Sequence, residues 1–198
     1  ELSGDMVWIS GLVDNGAIDG YSGATALGIG AAEGIAGMSS AFTWEQTFFG
    51  FVPGSIGETS TFLILLAGAY LVYTKIASWR IIFGTLIGMI VMSSFLNFVG
   101  SETNPMFSVP WYWHLTIGGF AFGLIFMATE PVTAASTNKG RWIYGLSIGV
   151  IAVLIRVVNP AFPEGMMLAI LFANLLAPAI DFAVTSRQTS KRMQRYNS

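Results

Sequence analysis

The sequence predicts an all-α membrane protein with about five transmembrane helices, and its composition and apolar runs support that fold class. Hydrophobic residues make up 54% of the 198 residues and charged residues only 10%, whereas a soluble domain carries about 25% charged residues. A membrane-spanning helix needs about 20 mostly apolar residues, and five stretches approach that length: 60–76, 81–99, 110–129, 142–158 and 165–184. We therefore expect lipid to surround much of the chain.

The apolar runs divide the chain into three regions. Residues 60–184 hold the five predicted spans, which are separated by polar or helix-breaking segments, with Trp at several span ends as is typical of membrane interfaces. Residues 1–59 are rich in Gly, Ser and acids, and we expect an exposed loop there and a re-entrant or interfacial stretch around 42–51. Residues 185–198 form a basic tail.

The basic residues predict the orientation of the spans. Eight of the nine Lys and Arg residues lie in two loops and the tail: Lys75, Arg80, Lys139, Arg141, Arg187, Lys191, Arg192 and Arg195. Five spans put these segments on one face, which the positive-inside rule makes cytoplasmic. Residues 1–59 then lie on the opposite, outer face, and the C-terminus lies inside.

The rare residue types exclude several kinds of site. The chain contains no Cys and a single His, so it supplies no disulfide, no Cys-ligated iron–sulfur cluster and no imidazole metal centre. We predict no catalytic residue and no nucleic-acid partner. Because the chain begins at Glu1 without a Met or a signal-peptide pattern, we expect it to be part of a longer protein.

The most specific motif lies in the outer N-terminal region. It consists of residues 19–25: Asp19, Gly20, Tyr21, Ser22, Gly23, Ala24 and Thr25. The glycines and the alanine beside the two hydroxyl residues, Ser22 and Thr25, leave the backbone adaptable. The string resembles the flavinylation motif of respiratory sodium pumps, Asp-x-x-Ser/Thr-Gly-Ala-Thr, in which the last threonine carries FMN through a phosphoester bond. The resemblance implies covalent FMN on Thr25, attached by a separate flavin transferase. The alternative is a plain turn into a helix over 24–34, with Asp19 or Ser22 as its N-cap.

Five further segments extend the resemblance along the chain: 53–60, 110–114, 128–132, 159–167 and 169–181. Together they resemble the C-terminal half of the B subunit in the Na+-translocating NADH:quinone oxidoreductase (Na+-NQR) family, which is homologous to the D subunit of the Rnf complex. The resemblance implies a urea-transporter-like half and a place in a multi-subunit complex of the bacterial inner membrane, with Thr25 on the periplasmic side. It also implies that riboflavin and quinone contacts belong to the N-terminal half, which this sequence lacks.

The function implied by this resemblance is to couple electron transfer from NADH to quinone with Na+ export, using the FMN on Thr25. Two alternatives remain open. An Rnf-type D subunit would serve ferredoxin:NAD electron transfer coupled to ion pumping. A flavin-free channel or solute transporter of the same fold would use residues 19–25 only as a loop.

Two carboxylates that border the spans are candidates for a sodium path. Glu130 closes the third predicted span before Pro131, and Asp181 lies near the cytoplasmic end of the fifth. An acid at a helix C-terminus opposes the helix dipole, whereas hard cations prefer oxygen ligands. The resemblance links acids at these places to sodium uptake. The alternative is that both are interfacial acids that reach water.

Arg156 is the one basic residue that lies outside this charge pattern, and it falls inside the fourth predicted span. It could extend to the interface, pair with Glu164 or hold a flavin phosphate, and we expect the structural pairing. Glu164 and Glu58 end two Pro- and Gly-rich segments that open the fifth and first spans, a similarity of the kind that accompanies broken helices in transporters. We expect structural roles for three further polar residues of the spans: His114, Asn97 and Asn174.

Overall fold

The computed structural model describes residues 25–159 and 164–196. In these ranges the chain is helical and contains no strand, as the sequence predicts. The helices are α1 (Ala26–Ala41), α2 (Trp44–Phe49), α3 (Thr61–Tyr73), α4 (Trp79–Val99), α5 (Trp111–Thr116), α6 (Phe120–Phe122), α7 (Asn138–Val158) and α8 (Met166–Tyr196). A 3-10 turn at Pro105–Ser108 precedes α5, and a π-helical segment at Gly123–Met127 continues α6.

Three of the described helices, α4, α7 and α8, are long and apolar enough to cross a membrane. Helices α4 and α7 have 21 residues each, and a rise of about 1.5 Å per residue makes each about 30 Å long, which is the thickness of the hydrocarbon layer. The first predicted span, 60–76, corresponds to α3, whose 13 residues cover about 20 Å. The structure thus contains full-length helices at three of the five predicted spans.

Helices α4 and α7 pack closely because glycines line their contact. A Cβ on Gly145 of α7 would lie 2.5 Å from the carbonyl oxygen of Ile81 on α4, so the backbones themselves meet there. Small residues spaced four apart allow such an approach between membrane helices. Similar close contacts occur along both helices at glycines that are four residues apart: Gly84 and Gly88 on α4, and Gly145 and Gly149 on α7. Helix α8 packs against α7.

The third predicted span, 110–129, is not one continuous helix, so the prediction of a simple span there is wrong. Helix α5 ends at Thr116, Ile117 is extended, and Gly118 has a φ of 61°. Helical structure resumes at Phe120. The break forms here because glycine adopts the left-handed backbone without steric cost, and Gly118 is followed by a second glycine, Gly119. The segment is therefore two short helical pieces joined at 117–119.

Helix α8 is longer than the fifth predicted span, 165–184. It runs from Met166 to Tyr196 and continues through Pro178, although proline removes a helical hydrogen bond and usually breaks or kinks a helix. The predicted basic tail, 185–198, is thus helical as far as Tyr196. Asp181 lies inside this helix, and the expectation that it sits at a helix C-terminus is wrong.

The N-terminal region is held by contacts between α1 and the 3-10 turn at Pro105–Ser108. Helix α1 is interrupted at Gly34, where the backbone is not helical (φ 66°) and the carbonyl oxygen of Pro105 leaves no room for a Cβ. The next residue, Ile35, donates its N–H to the Ser108 Oγ at 3.4 Å. The stretch around 42–51, predicted to be re-entrant or interfacial, contains the short helix α2.

Candidate functional site

Thr25, the predicted flavin acceptor, is the N-cap of α1. Its Oγ1 accepts a hydrogen bond from the Gly28 N–H at 3.1 Å and so satisfies one of the N–H groups that have no partner inside a helix. The residue is exposed. The helix therefore starts one residue after Thr25, and the N-cap is Thr25 rather than Asp19 or Ser22, the residues named in the alternative of a plain turn. The hydroxyl indicated by the motif lies at the positive end of a helix dipole.

The remaining motif residues lie outside the described part of the chain, and their roles stay predictions: Asp19, Gly20, Ser22, Gly23 and Ala24. The turn that follows Thr25 does have a defined position. The Cδ2 of Leu27 is 2.8 Å from the place that a Cβ on Gly118 would occupy. The first turn of α1 is thus in contact with the break in the third predicted span.

A buried arginine from α7 closes that break. Arg156 is 0% exposed; its Nη1 donates to the His114 carbonyl oxygen at 2.7 Å and its Nη2 to the Ile117 carbonyl oxygen at 3.0 Å. The last carbonyls of a helix have no partners within it and carry its negative dipole charge. Arg156 therefore supplies, as a cation, the donors that the chain loses where α5 ends.

Glu164 satisfies the other side of the break. Its Oε2 accepts the Gly119 N–H at 3.1 Å, and its Oε1 lies 3.4 Å from the Arg156 Nη2. The pairing predicted for these two residues is confirmed. Because the Glu164 side chain is 36% exposed, water screens the ion pair, and the two carbonyl contacts are the stronger interactions of the guanidinium.

A second carboxylate, that of Glu58, also lies close to Gly119 at the helix break. A Cβ on Gly119 would lie 2.9 Å from the Oε2 of Glu58 and 3.7 Å from the Oε1 of Glu164. Glu58 precedes α3 and also accepts the Ser55 N–H at 3.0 Å. The two acid-ending segments that look alike in the sequence thus converge on one helix break, where one guanidinium faces two carboxylates.

Sequence reasoning found the arginine pair but missed the break and the approach of Glu58. The available signal was the Gly118–Gly119 pair within an apolar run, together with an arginine in a span that needs acceptors. His114 is 1% exposed, and its Nδ1 has no hydrogen-bond partner in the described part of the chain. Its backbone carbonyl is the group that contacts Arg156, which agrees with a structural role.

Glu130, the first candidate for the sodium path, binds the turn that follows it. Its carboxylate accepts hydrogen bonds from the Val132 N–H at 3.0 Å, the Thr133 N–H at 2.8 Å and the Thr133 Oγ1 at 2.6 Å. These bonds lower the pKa of Glu130, and the Thr133 hydroxyl has the largest effect. The carboxylate is therefore ionised at neutral pH and is stabilised by its own loop.

Asp181, the second candidate, caps a neighbouring helix. It accepts four hydrogen bonds, from Ser136 N–H at 2.6 Å and Oγ at 2.8 Å and from Thr137 N–H at 3.0 Å and Oγ1 at 2.6 Å. Thr137 is the N-cap of α7, so this carboxylate lies at the favourable, positive end of a helix dipole. A Cβ on Gly140 would come within 2.5 Å of the Asp181 Oδ1, which explains the glycine there.

The two candidate acids thus hold opposite ends of one loop, 130–137. Within residues 25–159 and 164–196 no group of three or more His, Cys, Asp or Glu side chains is arranged to hold a metal ion. The span asparagines have the predicted bonding roles, since Asn174 of α8 accepts from the Tyr144 hydroxyl of α7 and Asn97 donates to the Val109 carbonyl at 2.9 Å.

Comparison with known proteins finds relatives over nearly the whole chain. Residues 2–190 match the family described as "NQR2, RnfD, RnfE family". The chain is 58% identical over 196 residues to the B subunit of Na(+)-translocating NADH-quinone reductase from Stutzerimonas stutzeri (strain A1501), which covers 98% of this chain and 47% of that protein. The chain is also similar to proteins of the same name from two other organisms. It is 58% identical over 201 residues to the one from Neisseria meningitidis (strain Z2491), which covers 99% of this chain and 47% of that protein. It is 53% identical over 195 residues to the one from Chromohalobacter salexigens, which covers 98% of this chain and 46% of that protein.

This chain therefore spans about half the length of the curated relatives it matches. The matches confirm the resemblance that the motif and the later segments indicate.

Proposed function

Since the chain belongs to the NQR2, RnfD, RnfE family, we propose that it is part of a membrane subunit of a Na+-translocating NADH:quinone reductase. In this proposal the subunit works within a multi-subunit complex of the bacterial inner membrane, where NADH oxidation by quinone drives Na+ export. The family description covers Rnf proteins as well, but the three relatives from Stutzerimonas, Neisseria and Chromohalobacter are all named as the B subunit of the reductase, which favours the first assignment.

We propose further that Thr25 carries FMN as a phosphoester on its Oγ1, put there by a flavin transferase. The observation that carries this proposal is that Thr25 is exposed and caps the N-terminus of α1, whose first helical run extends from Ala26 to the interruption at Gly34. Free N–H groups and the dipole make such an end a favourable place for a phosphate, by about 0.3–1 kcal/mol. The residues present therefore fit the group.

FMN, once attached, supplies reversible electron transfer. The chain's own contribution is to fix where that happens: Thr25 anchors the phosphate, and Leu27, two residues later, packs against Gly118. The attachment point is thereby held beside the interrupted membrane segment rather than on a free tether. Quinone and riboflavin contacts, in this proposal, belong to the part of the relatives that this chain does not cover.

Substitution of Thr25 tests the flavin assignment. Asn is an N-cap as good as Thr but has no hydroxyl, so Thr25→Asn should keep α1 capped while abolishing the in-gel flavin fluorescence of this chain. Ser22→Ala, the matched control within the motif, should retain fluorescence. Fluorescence that persists on a membrane-inserted Thr25→Asn chain would contradict the assignment.

We also propose that the chain crosses the membrane five times, with Thr25 on the periplasmic side and the C-terminus in the cytoplasm. The support is that α4, α7 and α8 have spanning length, and that the basic loops alternate with loops that lack Lys and Arg. In this arrangement α3 and the broken segment 110–129 provide the other two crossings. A broken helix approached by two similar segments, ending at Glu58 and Glu164, suits a urea-transporter-like half.

Glu130 and Asp181 are, in this proposal, sodium-uptake residues on the cytoplasmic side. Their support is that both are carboxylates at one loop, 130–137, which lies among the basic segments of the predicted inner face. Because each also stabilises that loop, their test must separate a change in sodium dependence from a change in stability.

A further inference from the structure

The turn between α3 and α4 opens into a cavity of about 580 Å³, and neither Thr25, Glu130 nor Asp181 is among its lining residues. Its walls come from the end of α3, the start of α4, the loop 129–135 and the start of α7. It lies on the face that carries the basic loops, where the predicted membrane boundary runs. In the proposed orientation, on which this inference rests, that face meets the lipid headgroups.

The cavity carries an unbalanced positive charge. Lys75, Arg80 and Arg141 line it, and none of the described lining residues is acidic. Within residues 25–159 and 164–196 the one ion pair is Arg156–Glu164, so these three cations have no carboxylate partner there. The nearest acid in sequence, Glu130, directs its hydrogen bonds to its own turn. An anion in the cavity would meet three cations.

The start of α4 adds neutral donors to the same cavity. Ser78 is the N-cap of this 21-residue helix but makes no side-chain capping bond, and its Oγ is buried without a hydrogen-bond partner in the described part of the chain. The first N–H groups of a helix have no partners within it and favour a phosphate. A buried, unused hydroxyl beside uncapped N–H groups is the arrangement that a phosphate oxygen would complete.

Lys75 lies at the C-terminal end of α3, where the Ile76 N–H donates to the Leu71 carbonyl oxygen at 3.0 Å. Its φ is 62°, and it is the one non-glycine residue with positive φ in the described part of the chain. Glycine would fill this helix-ending position at lower cost. This helix end places Lys75, a cation, on the cavity wall.

The rest of the wall is suited to a lipid rather than to a free anion. Tyr73 and Ile76 line the cavity and are 84% and 66% exposed, so they offer apolar surface next to the charges. The guanidinium of Arg80 lies 4.8 Å from the centre of the Trp79 ring, a cation–π contact that keeps it at the interface. We propose that this cavity binds the headgroup of an anionic phospholipid, with its phosphate at Ser78 and the three cations and an acyl chain along Tyr73 and Ile76.

Native mass spectrometry of the protein, purified from membranes in its native assembly and delipidated, tests this site. Titration with phosphatidylglycerol should give at least about tenfold tighter binding than titration with phosphatidylcholine, since each basic residue near a headgroup adds to the attraction. Lys75→Gln with Arg80→Gln should remove most of that preference. The matched control, Arg187→Gln with Arg192→Gln, removes the same charge from α8 outside the cavity and should leave it intact.

Four results would overturn the proposal. Equal binding of the two lipids, or an equal loss in both double variants, would mean that no specific headgroup site exists. Displacement of phosphatidylglycerol by millimolar inorganic phosphate would assign the cavity to a free anion. Carbodiimide cross-linking of Lys75 to another protein of the complex, lost in Lys75→Gln, would assign it to an acidic protein partner. Because neutral substitutions here could disturb membrane insertion, Lys75→Arg with Arg80→Lys serves as the charge-retaining variant and should bind phosphatidylglycerol like the unmodified protein.

Discussion

Arg156→Met is the perturbation that examines the helix break most directly. Methionine keeps much of the side-chain volume but removes the charge and both donors to the carbonyl oxygens of His114 and Ile117. Those carbonyls would then be buried without partners at the negative end of α5. The Glu164 carboxylate would lose its counter-ion as well, although its partial exposure reduces that effect.

The magnitude follows from the two carbonyl bonds. Each hydrogen bond to a charged donor contributes about 1.5–3 kcal/mol, and removing one partner from a buried charged network costs about 3–5 kcal/mol. We therefore expect Arg156→Met to lower the free energy of unfolding by about 3–5 kcal/mol. Lys139→Met on the same helix is the matched control, because Lys139 is exposed, and it should change stability by less than about 0.5 kcal/mol.

Unfolding of the purified protein in mixed micelles with increasing SDS measures both variants. The double substitution Arg156→Met with Glu164→Gln removes the stranded carboxylate, so it should cost less than the sum of the two single changes. A loss for Arg156→Met no larger than for Lys139→Met would refute the claim that the guanidinium holds the break together.

Three further outcomes follow from the same structure. Asp181→Asn and Glu130→Gln should each raise the Na+ concentration for half-maximal quinone reduction about tenfold, a change of about 1.4 kcal/mol. The control, Thr137→Ala, weakens the α7 cap without removing a carboxylate and should lower only thermal stability. Unchanged sodium dependence in both acid variants would exclude the proposed path. Gly149→Val should lower the free energy of unfolding by about 1–3 kcal/mol in the same SDS assay, because its Cβ would collide with the Thr85 carbonyl oxygen. The control, Ser94→Val on the exposed side of α4, should leave it unchanged. Equal stability of the two variants would mean that α4 and α7 can separate freely. Cysteine at Ser101 should react with an impermeant thiol reagent from outside and cysteine at Asn138 or Ser190 should not, and the reverse pattern would overturn the orientation.

The parts of the fold that the sequence predicts best are those set by regular patterns. Uninterrupted apolar runs predict α4 and α7, and the glycines at four-residue spacing predict their close contact, since both depend on properties that repeat along one helix. Arg156 pairs with Glu164 as expected because a buried guanidinium has few acceptable neighbours. In each case, residue types and their spacing along the chain were enough to predict the contact or the helix.

What the sequence does not reveal depends on tertiary contacts. Asp181 is predicted to end its helix, but it caps α7 instead. The sequence does not show this contact because the partner, Thr137, lies 44 positions away in the chain. The break at Gly118 is stabilised by Arg156 of α7 and by Glu164, which lies just before α8. The cap of α1 is Thr25 rather than Asp19 or Ser22, a difference of a few residues that propensity alone does not resolve.

The central claim is that Thr25 is the flavin attachment point, and peptide mass spectrometry of the purified protein tests it most directly. We predict that the peptide containing Thr25 carries one FMN, joined with loss of one water, and that fragmentation places the phosphoester on the Thr25 Oγ1. An unmodified Thr25 peptide from an active, quinone-reducing complex, or an FMN mass localised to Ser22, would contradict it.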